Sequence, residues 1–278
     1  GGSTLQDSGW SVPDIYTASP NATVNHLSLQ ATGSTTNVSV SIVPKGDGSL
    51  SFGVPGIGGN VRGLSALDLQ VSRHQADAVA SGQYSTCVGL ENTASGYGAF
   101  AAGKRNVAQG QYAFCLGLDS TASGYAAFTW GRGLTADRSG LFAFGADAFA
   151  TGRLQHIATC MRGTTTDGTT QVELTIPSQS SRLTLVAGTV MFLNLKIIGC
   201  RNDGSAVAAY ERQYAVKRVG NTTTELQAPV TIGTDIAAGT TMTLDADDTN
   251  DAVRVRVIGV LSQTWTWRVA VLGFEMAY

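Results

Sequence analysis

The chain has 278 residues, a net charge of −2 and only 14% charged residues, so it lacks the basic surface that nucleic-acid binding requires, and we predict no nucleic-acid partner. Its 34 glycines, 6 prolines and 43% hydrophobic content exclude a disordered polar chain and favour an all-β fold with many turns. No window of about 18 apolar residues predicts a membrane-spanning segment.

The N-terminal segment, residues 1–77, is predicted to be β-rich, because short runs such as NHLSLQATG and SLSFGV alternate between apolar and polar residues. Two motifs lie near its end, PKGDG at 44–48 and GGNVRGLSALDLQ at 58–70. Arg62 and Asp68 in the second motif are candidate ligand contacts. The favoured interpretation is a pair that fixes a turn or a subunit contact.

A repeat occupies residues 78–152. Glycine recurs every seven residues from Gly82 to Gly152, with Arg138 as the one exception, and alanine recurs every 14 residues from Ala80 to Ala150. A short fixed period is the signature of a solenoid, so the sequence predicts one coil per repeat unit.

One stretch of this repeat, GAFAAGK at 98–104, imitates the start of a phosphate-binding loop. Its Gly103 belongs to the seven-residue spacing, and Arg105 stands where that loop needs a serine or threonine for Mg²⁺. The stretch GRGLTA at 131–136 imitates a dinucleotide fingerprint for the same reason. We therefore predict no nucleotide site and no cofactor.

Residue size alternates within each coil, with small residues in one set of alternate positions and mostly large residues in the other. This period of two predicts a strand with two buried faces. So short a coil has a thin interior that admits only the small side chains, and the large row must therefore point outward and meet other chains. Three copies around an axis would bury it. The predicted trimer interface comprises Val88, Phe100, Phe114, Leu116, Phe128, Trp130, Phe142 and Phe144.

This repeat resembles the left-handed parallel β-roll in the heads of trimeric autotransporter adhesins. The motif at 58–70 resembles one that recurs in bacteriophage tail fibres and tailspikes, where it also follows a PKGxG element and precedes a head-like repeat. The resemblance implies an all-β fold: a trimeric left-handed parallel β-roll of 14-residue repeats followed by a C-terminal β-sandwich.

Beyond the repeat, residues 153–168 are predicted to be a linker and residues 169–278 a β-sandwich. Alternating runs such as VRVRV and TWTWRVAV, separated by turn residues, are typical of a sandwich. Asp203-Gly204 predicts a tight hairpin, and Trp265 and Trp267 are expected to share a core face. This tract is similar to the C-terminal domain of many phage fibres and tailspikes.

Motifs for catalysis or metal binding are absent from the sequence. There is no metal-hydrolase or serine-hydrolase motif. The acidic run 245–251 half-resembles a calcium loop, but Asn250 and Arg256 stand where that loop needs glycine and glutamate, so we predict a turn. We therefore predict no catalytic residue, no metal and no enzymatic activity. The cysteines lack the spacing of a zinc site and are expected to be free thiols: Cys87, Cys115, Cys160 and Cys200.

The resemblance implies a tail fibre protein of the virion that attaches the phage to its host. Its expected partners are two further copies of itself, a glycan or outer-membrane protein of the host surface, and other virion tail proteins. Two alternatives remain open, a tailspike-type glycan depolymerase and the head of a bacterial trimeric adhesin. Host contact is expected on the C-terminal domain, because loops on a rigid β-scaffold often carry recognition. The candidate receptor-binding residues are Arg201, Asn202, Asp203, Tyr210, Arg212 and Tyr214.

Overall fold

The computed structural model describes residues 10–11, 30–31, 50–52, 60–72, 74–146, 154–177 and 181–278. The chain divides into two compact units, Gly1–Lys45 and Gly46–Tyr278. No helix in the described ranges is long and apolar enough to cross a membrane. The PKGDG element and the first two glycines of the motif at 58–70 lie outside the described residues.

Every helix-or-strand element in the described ranges is a β-strand, which confirms the all-β prediction. The strands are β1 (Trp10–Ser11), β2 (Gln30–Ala31), β3 (Leu50–Phe52), β4 (Leu67–Ser72), β5 (Thr86–Leu90), β6 (Thr93–Ala94), β7 (Phe100–Lys104), β8 (Val107–Ala108), β9 (Phe114–Leu118), β10 (Thr121–Ala122), β11 (Phe128–Arg132), β12 (Thr135–Ala136), β13 (Phe142–Ala146), β14 (Leu154–Thr165), β15 (Val172–Glu173), β16 (Leu183–Thr184), β17 (Thr189–Arg201), β18 (Val207–Val219), β19 (Thr222–Thr231), β20 (Thr241–Asp247), β21 (Ala252–Ile258) and β22 (Trp265–Ala277). In the first unit, β1 pairs antiparallel with β2.

The repeat forms a parallel β-solenoid of about five turns. Its long strands β5, β7, β9, β11 and β13 pair in parallel, so that Phe100, Phe114, Phe128 and Phe142 are register partners in turn. The two-residue strands β6, β8, β10 and β12 form a second parallel sheet with the same step along the chain. The predicted coil, one repeat unit long with two short strands, is confirmed, whereas the left-handed sense and the trimer stay predictions.

The interior of the solenoid contains the small row, as predicted. These residues are no more than 1% exposed, and Leu141 is the one large side chain among them. The interior row consists of Ser85, Cys87, Ala99, Ala101, Ala113, Cys115, Ala127, Thr129, Leu141 and Ala143.

Glycines recur because the coils approach each other through their backbones. A Cβ added to Gly117 would lie 1.8 Å from the carbonyl oxygen of Gly131, and the φ of Gly117 is +119°. At Gly110 a Cβ would lie 1.9 Å from the carbonyl oxygen of Gly124. Glycine is thus required at both halves of the coil by contact, and at one half also by conformation.

A buried polar ladder, not among the predictions made from the sequence, joins the coils at the turns after β5, β7 and β9. The side-chain amide of Asn92 donates to the carbonyl of Gly103 at 2.8 Å, and that of Asn106 donates to Gly117 at 2.6 Å. The backbone N–H of Asn106 donates to Asn92 Oδ1 at 2.9 Å, and that of Ser120 donates to Asn106 Oδ1 at 3.1 Å. The ladder satisfies backbone groups that the thin interior hides from water.

The parallel sheet begins before the predicted start of the repeat at residue 78. Strand β4 pairs in parallel with β5 through Leu67 and Thr86, and β3 pairs in parallel with β4 through Leu50 and Leu67. These steps are longer than the repeat unit, so a search for glycine at the seven-residue spacing does not detect them.

Arg62, which precedes β4, and Asp68, the second residue of β4, form the predicted turn-fixing pair. Arg62 Nε donates to Asp68 Oδ2 at 2.9 Å, and Asp68 is 1% exposed. A carboxylate this deeply buried requires a charged or hydrogen-bonding partner.

Residues 154–165, in the segment predicted to be a linker, form strand β14. It pairs antiparallel with β13 through Phe144 and His156, and with β22 along its whole length. One 12-stranded sheet therefore continues from the solenoid into the C-terminal part. The end of the glycine repeat marks a change from parallel to antiparallel pairing.

Two sheets make up the C-terminal part and share one hydrophobic core. The 12-stranded sheet contributes β14, β17, β18, β19 and β22, and a smaller sheet consists of β15, β16, β20 and β21. Trp265 and Trp267 are fully buried in this core, as predicted, and Trp267 Nε1 donates to Thr165 Oγ1 at 3.0 Å. The β-sandwich and the domain boundaries stay predictions.

Candidate functional site

The long strands β14, β17 and β22 turn one face to the core and the other outward, because alternate residues along each strand are buried. Near the solenoid the outward residues are apolar. The register pairs His156 with both Phe144 and Phe274, so this apolar patch continues the outward row of the solenoid. Its exposed members are Phe192, Leu272, Phe274 and Met276.

The outward aromatic rings form a continuous row. Ring centroids are 4.4 Å apart for Phe100 and Phe114, 5.2 Å for Phe114 and Phe128, and 4.7 Å for Phe128 and Phe142. The row then passes from Phe144 to His156 at 4.8 Å, and from His156 to Phe274 at 4.0 Å. Aromatic pairs at these separations attract each other, so the row is held in place within one chain.

The structure brings the residues of the predicted trimer interface together on this outward face. Trp130 is 64% exposed, and the other seven are half-buried. No second chain is present, so their contact with other copies stays a prediction. The half-buried members are Val88, Phe100, Phe114, Leu116, Phe128, Phe142 and Phe144.

At the other end of β14 and β22, the same outward face is basic. Arg162 and Arg268 are register partners across the two strands, and both are exposed. Among the residues that the structure describes, neither has a carboxylate within salt-bridge distance. Lys196 lies on neighbouring β17, where its Nζ is 3.8 Å from Glu211 Oε1.

Two cavities open beside these cations. A cavity of about 710 Å³ is lined by Lys196, Ile198, Ile232 and Arg268, among others, and a smaller one of about 270 Å³ by Arg162 and Arg268 with three threonines. Arg268 lines both. A volume of several hundred Å³ is in the range of sites that bind small ligands. This site has no local signal in the sequence, because Arg162 and Arg268 lie on strands far apart in the chain.

The predicted hairpin at Asp203-Gly204 is present and lies at this basic end. Asp203 Oδ1 accepts from the Ser205 N–H at 3.0 Å, and Arg201 Nε lies 3.1 Å from Asp203 Oδ2. Hydrogen bonds from Ser205, together with Arg201, lower the pKa of the Asp203 carboxyl. Asn202 and Asp203 are exposed, and Asn202 Oδ1 accepts from Thr266 Oγ1 at 3.0 Å.

The other three candidate receptor-binding residues are buried, so the surface position expected for them is wrong. Tyr210 is 6% exposed and donates to the Thr240 carbonyl at 3.0 Å, whereas Tyr214 is fully buried and donates to Glu225 Oε1 at 3.1 Å. Burial raises the pKa of both phenols. The physical reason is that every second residue of β18 faces the core, and these residues belong to that set.

Arg212 shares that inward face. Its two terminal nitrogens donate to the Asp235 carboxylate at 2.7 and 2.6 Å, which lowers the pKa of that carboxyl. The guanidinium carbon also lies 5.7 Å from the centre of the Tyr210 ring. This fork holds the segment after β19, which forms one wall of the larger cavity.

The acidic run 245–251 is a strand end followed by a turn, as predicted. Asp245 accepts from Arg254 Nε at 2.9 Å and is also bonded to Arg256, whereas the Asp247 carboxylate accepts from the Asn250 side chain at 2.8 Å. No cluster of histidine, cysteine or acidic residues in the described ranges is arranged to hold a metal ion.

A row of tyrosines on the turns of the solenoid also escaped the sequence analysis. Tyr84, Tyr97, Tyr112 and Tyr125 meet edge to face at 5.4, 5.5 and 5.8 Å between successive ring centroids. Their separation along the chain alternates on either side of the repeat length, so they do not fall on one register of the repeat. Tyr84 and Tyr112 have positive φ values of 59° and 57°.

Comparisons with known proteins returned one described similarity. No protein-family model matches the chain. No curated protein matches it. Among solved structures, it is similar to the tailspike protein gp49 of Acinetobacter baumannii bacteriophage Fri1, described as a capsular polysaccharide depolymerase, with 11% identity and a TM-score of 0.27. The alignment covers 76% of this chain and 38% of the tailspike, and at this TM-score it assigns no activity or residue role here.

This match contradicts one prediction. The tailspike is described as a depolymerase, that is, an enzyme, so the prediction of no enzymatic activity, which followed from the missing catalytic motifs, is contradicted and does not stand. The parallel β-solenoid of about five turns agrees with the parallel β-roll that the resemblance implied. The solved structure described above is a phage tailspike, one of the two groups of phage proteins that the sequence resembles.

Proposed function

We propose that this chain is a phage receptor-binding protein that acts as a homotrimer in the virion tail, together with other tail proteins, and attaches the phage to a glycan or protein of the bacterial surface. The observation that carries the proposal is the outward face of the 12-stranded sheet. One end is an apolar aromatic row, and the other is polar with two open cavities. The aromatic end supports self-assembly, and the cavity end supports ligand binding.

The energetics favour assembly along the aromatic row. Full burial of one phenylalanine contributes about 1.5–3 kcal/mol relative to its exposed state. Phe100, Phe114, Phe128, Phe142 and Phe144 are only half-buried in one chain, so their remaining surface is available to other copies. A trimer would also carry three identical ligand sites, and its overall affinity would exceed that of one site through effective concentration.

Attachment is tested with the labelled 278-residue protein, a panel of encapsulated bacterial strains and acapsular derivatives of each strain. We expect binding to particular strains. Loss of binding in the acapsular derivative indicates a capsular glycan, and retention indicates another surface molecule. Equal binding to all strains, or binding to none by an intact trimer, contradicts the proposal.

A second experiment measures glycan cleavage, which is the activity expected for the tailspike-type alternative. Purified glycan from a bound strain is incubated with the protein, and reducing ends and polymer length are followed. A rise in reducing ends with shorter polymer assigns a depolymerase activity in addition to attachment.

A further inference from the structure

We propose that Arg162, Arg268 and Lys196, called the basic cluster below, bind the carboxylates of an acidic glycan, such as one that contains uronic acids. The inference rests on the proposed function, because it names the chemical class of the surface ligand. It goes beyond that function by assigning the site to residues on β14, β17 and β22.

The central observation is a like-charge pair in the sheet. Arg162 and Arg268 are direct cross-strand partners, so their Cβ atoms are separated by roughly 4.5–5.5 Å. Like charges in this position destabilise a sheet. An anion that lies between the two guanidinium groups removes the repulsion and gains charge-assisted hydrogen bonds from both.

The other arginines of the described C-terminal part, residues 154–177 and 181–278, form a sharp contrast. Each of them has a carboxylate partner within salt-bridge distance. Only Arg162 and Arg268 lack one there, although they face each other. The paired arginines are Arg182, Arg201, Arg212, Arg218, Arg254 and Arg256.

The surroundings of the pair fit a sugar acid. The smaller cavity adds the hydroxyls of Thr164, Thr175 and Thr266 to the two guanidinium groups, and hydroxyls are the natural partners of sugar hydroxyls. The larger cavity adds the apolar side chains of Ile198 and Ile232, against which the apolar face of a sugar ring can pack. A guanidinium group matches a carboxylate through two parallel hydrogen bonds.

Lys196 extends the basic cluster toward the next unit of a glycan chain. It lies two residues from Ile198, the register partner of Arg268, and this is roughly 7 Å along the strand. Its contact with Glu211 is long, and the lysine side chain is 67% exposed, so this ion pair is weak. Lys196 is therefore free to bind a second carboxylate.

The test is isothermal titration calorimetry, in which short oligogalacturonates are added to the 278-residue protein at low and at physiological salt concentration. Fully methyl-esterified oligogalacturonate is the neutral control, and polyglutamate is the acidic control without sugar. The double variant Arg162→Gln/Arg268→Gln is compared with Lys104→Gln/Lys217→Gln, which removes two charges elsewhere on the protein. Arg162→Lys/Arg268→Lys retains the charge and removes the guanidinium fork.

We expect Arg162→Gln/Arg268→Gln to weaken oligogalacturonate binding at least tenfold. Its melting temperature should be no lower than that of wild type, because the substitution removes a repulsive pair. We expect the lysine variant to bind with intermediate affinity and the control variant to bind as wild type does. Equal binding of the methyl ester, or of polyglutamate, overturns the acidic-glycan assignment. Unchanged binding by Arg162→Gln/Arg268→Gln, or an equal loss in that variant and in the Lys104→Gln/Lys217→Gln control, overturns the assignment to these residues.

Failure of this inference and failure of the proposed function give different results. If wild type adsorbs to bacterial strains but the Arg162→Gln/Arg268→Gln variant adsorbs equally well, attachment stands and the basic cluster is not its site. If oligogalacturonate binds through the basic cluster but no strain is bound, the site stands and the attachment function is wrong.

Discussion

The side chain of Gln155 hydrogen-bonds both backbone groups of Thr135. The Thr135 N–H donates to Gln155 Oε1 at 2.9 Å, and Gln155 Nε2 donates to the Thr135 carbonyl at 2.8 Å. Thr135 is in β12, which is the edge strand of the short-strand sheet among the residues that the structure describes. A single side chain from β14 thus satisfies backbone groups at the edge of the described short-strand sheet, as edge strands require.

Gln155 is itself fixed by a buried charge. Its Nε2 also donates to Glu275 Oε2 at 2.9 Å, and Arg138 is bonded to the same carboxylate. Glu275 is fully buried, so it requires these donors. Arg138 is the residue that interrupts the glycine repeat, and its guanidinium lies where the solenoid meets the C-terminal part.

Replacement of Gln155 by alanine tests this cap. Gln155→Ala removes both hydrogen bonds to Thr135 and one to Glu275, and we expect a loss of stability of about 1–3 kcal/mol per buried group left without a partner. Denaturant midpoints are the measurement, with Gln109→Ala, an exposed glutamine of the solenoid, as the control. Equal midpoints for the two variants would show that water caps the edge as well as the side chain does.

The solenoid could be predicted from the sequence because each coil repeats the same local constraints. The position of Gly117 requires glycine and the position of Cys115 requires a small side chain wherever coils stack. The pattern therefore recurs from one repeat unit to the next. The polar ladder through Asn92 and Asn106 has the same period, and counting could have found it.

The candidate ligand site could not be predicted in the same way. Alternation along β18 places Tyr210 and Tyr214 on one face, but only the packed structure shows that this face is the inner one. Arg162 and Arg268 become neighbours through long-range pairing of β14 with β22, which no local spacing encodes. Strand β14 itself lacks glycine at the repeat positions, so its sequence resembled a linker.

Phe128→Asp tests the aromatic row. The Phe128 ring lies between those of Phe114 and Phe142, and a carboxylate in a row that is buried between copies would have no partner. We expect the wild type to be a trimer by light scattering at micromolar concentration and the variant to dissociate. Tyr112→Asp, an aromatic-to-aspartate change at an exposed turn of the solenoid, should leave assembly unchanged. A wild type that is monomeric would refute the trimer.

Gly117→Ala tests the close stacking of the coils. The new Cβ would lie 1.8 Å from the Gly131 carbonyl oxygen and would also need a φ of +119°, so we expect little folded protein. Gly204→Ala is the matched control, because its φ is +73° but no atom lies within 4 Å of the new Cβ. We expect Gly204→Ala to lower the free energy of unfolding by about 1–2 kcal/mol, which is the cost of the left-handed conformation alone. Thermal or denaturant unfolding measures this loss. Similar losses in both variants would argue against close stacking.

Cysteine labelling tests the thin interior. Cys87 and Cys115 are fully buried, and burial raises the pKa of both thiols, so little reactive thiolate forms at neutral pH. They lie two strands apart, roughly 9–10 Å, beyond the reach of a disulfide. Alkylation of native protein followed by peptide mass analysis should leave both unlabelled, and denaturant should make both reactive. A disulfide between them would contradict the two-strand coil. Cys160 and Cys200 are exposed and serve as internal controls.

The Arg212–Asp235 ion pair should make part of the stability depend on acid pH. Hydrogen bonds from Arg212 lower the pKa of the Asp235 carboxyl below its unfolded value of about 4. For a lowered pKa, the stabilisation is complete above the unfolded value and is lost as the pH falls through the folded value.

We expect Asp235→Asn to melt below wild type at pH 7, and the difference to shrink as the pH falls below about 4. Thermal melts over this range are the measurement. Glu211→Gln is the neighbouring control, because Glu211 contacts Lys196 only at 3.8 Å, and its difference from wild type should be small. Because Asp235 follows the Ile232–Thr234 wall of the larger cavity, Asp235→Asn should also weaken ligand binding there at neutral pH. A melting difference that is equal at pH 3 and pH 7 would mean that the charge of Asp235 does not contribute to stability.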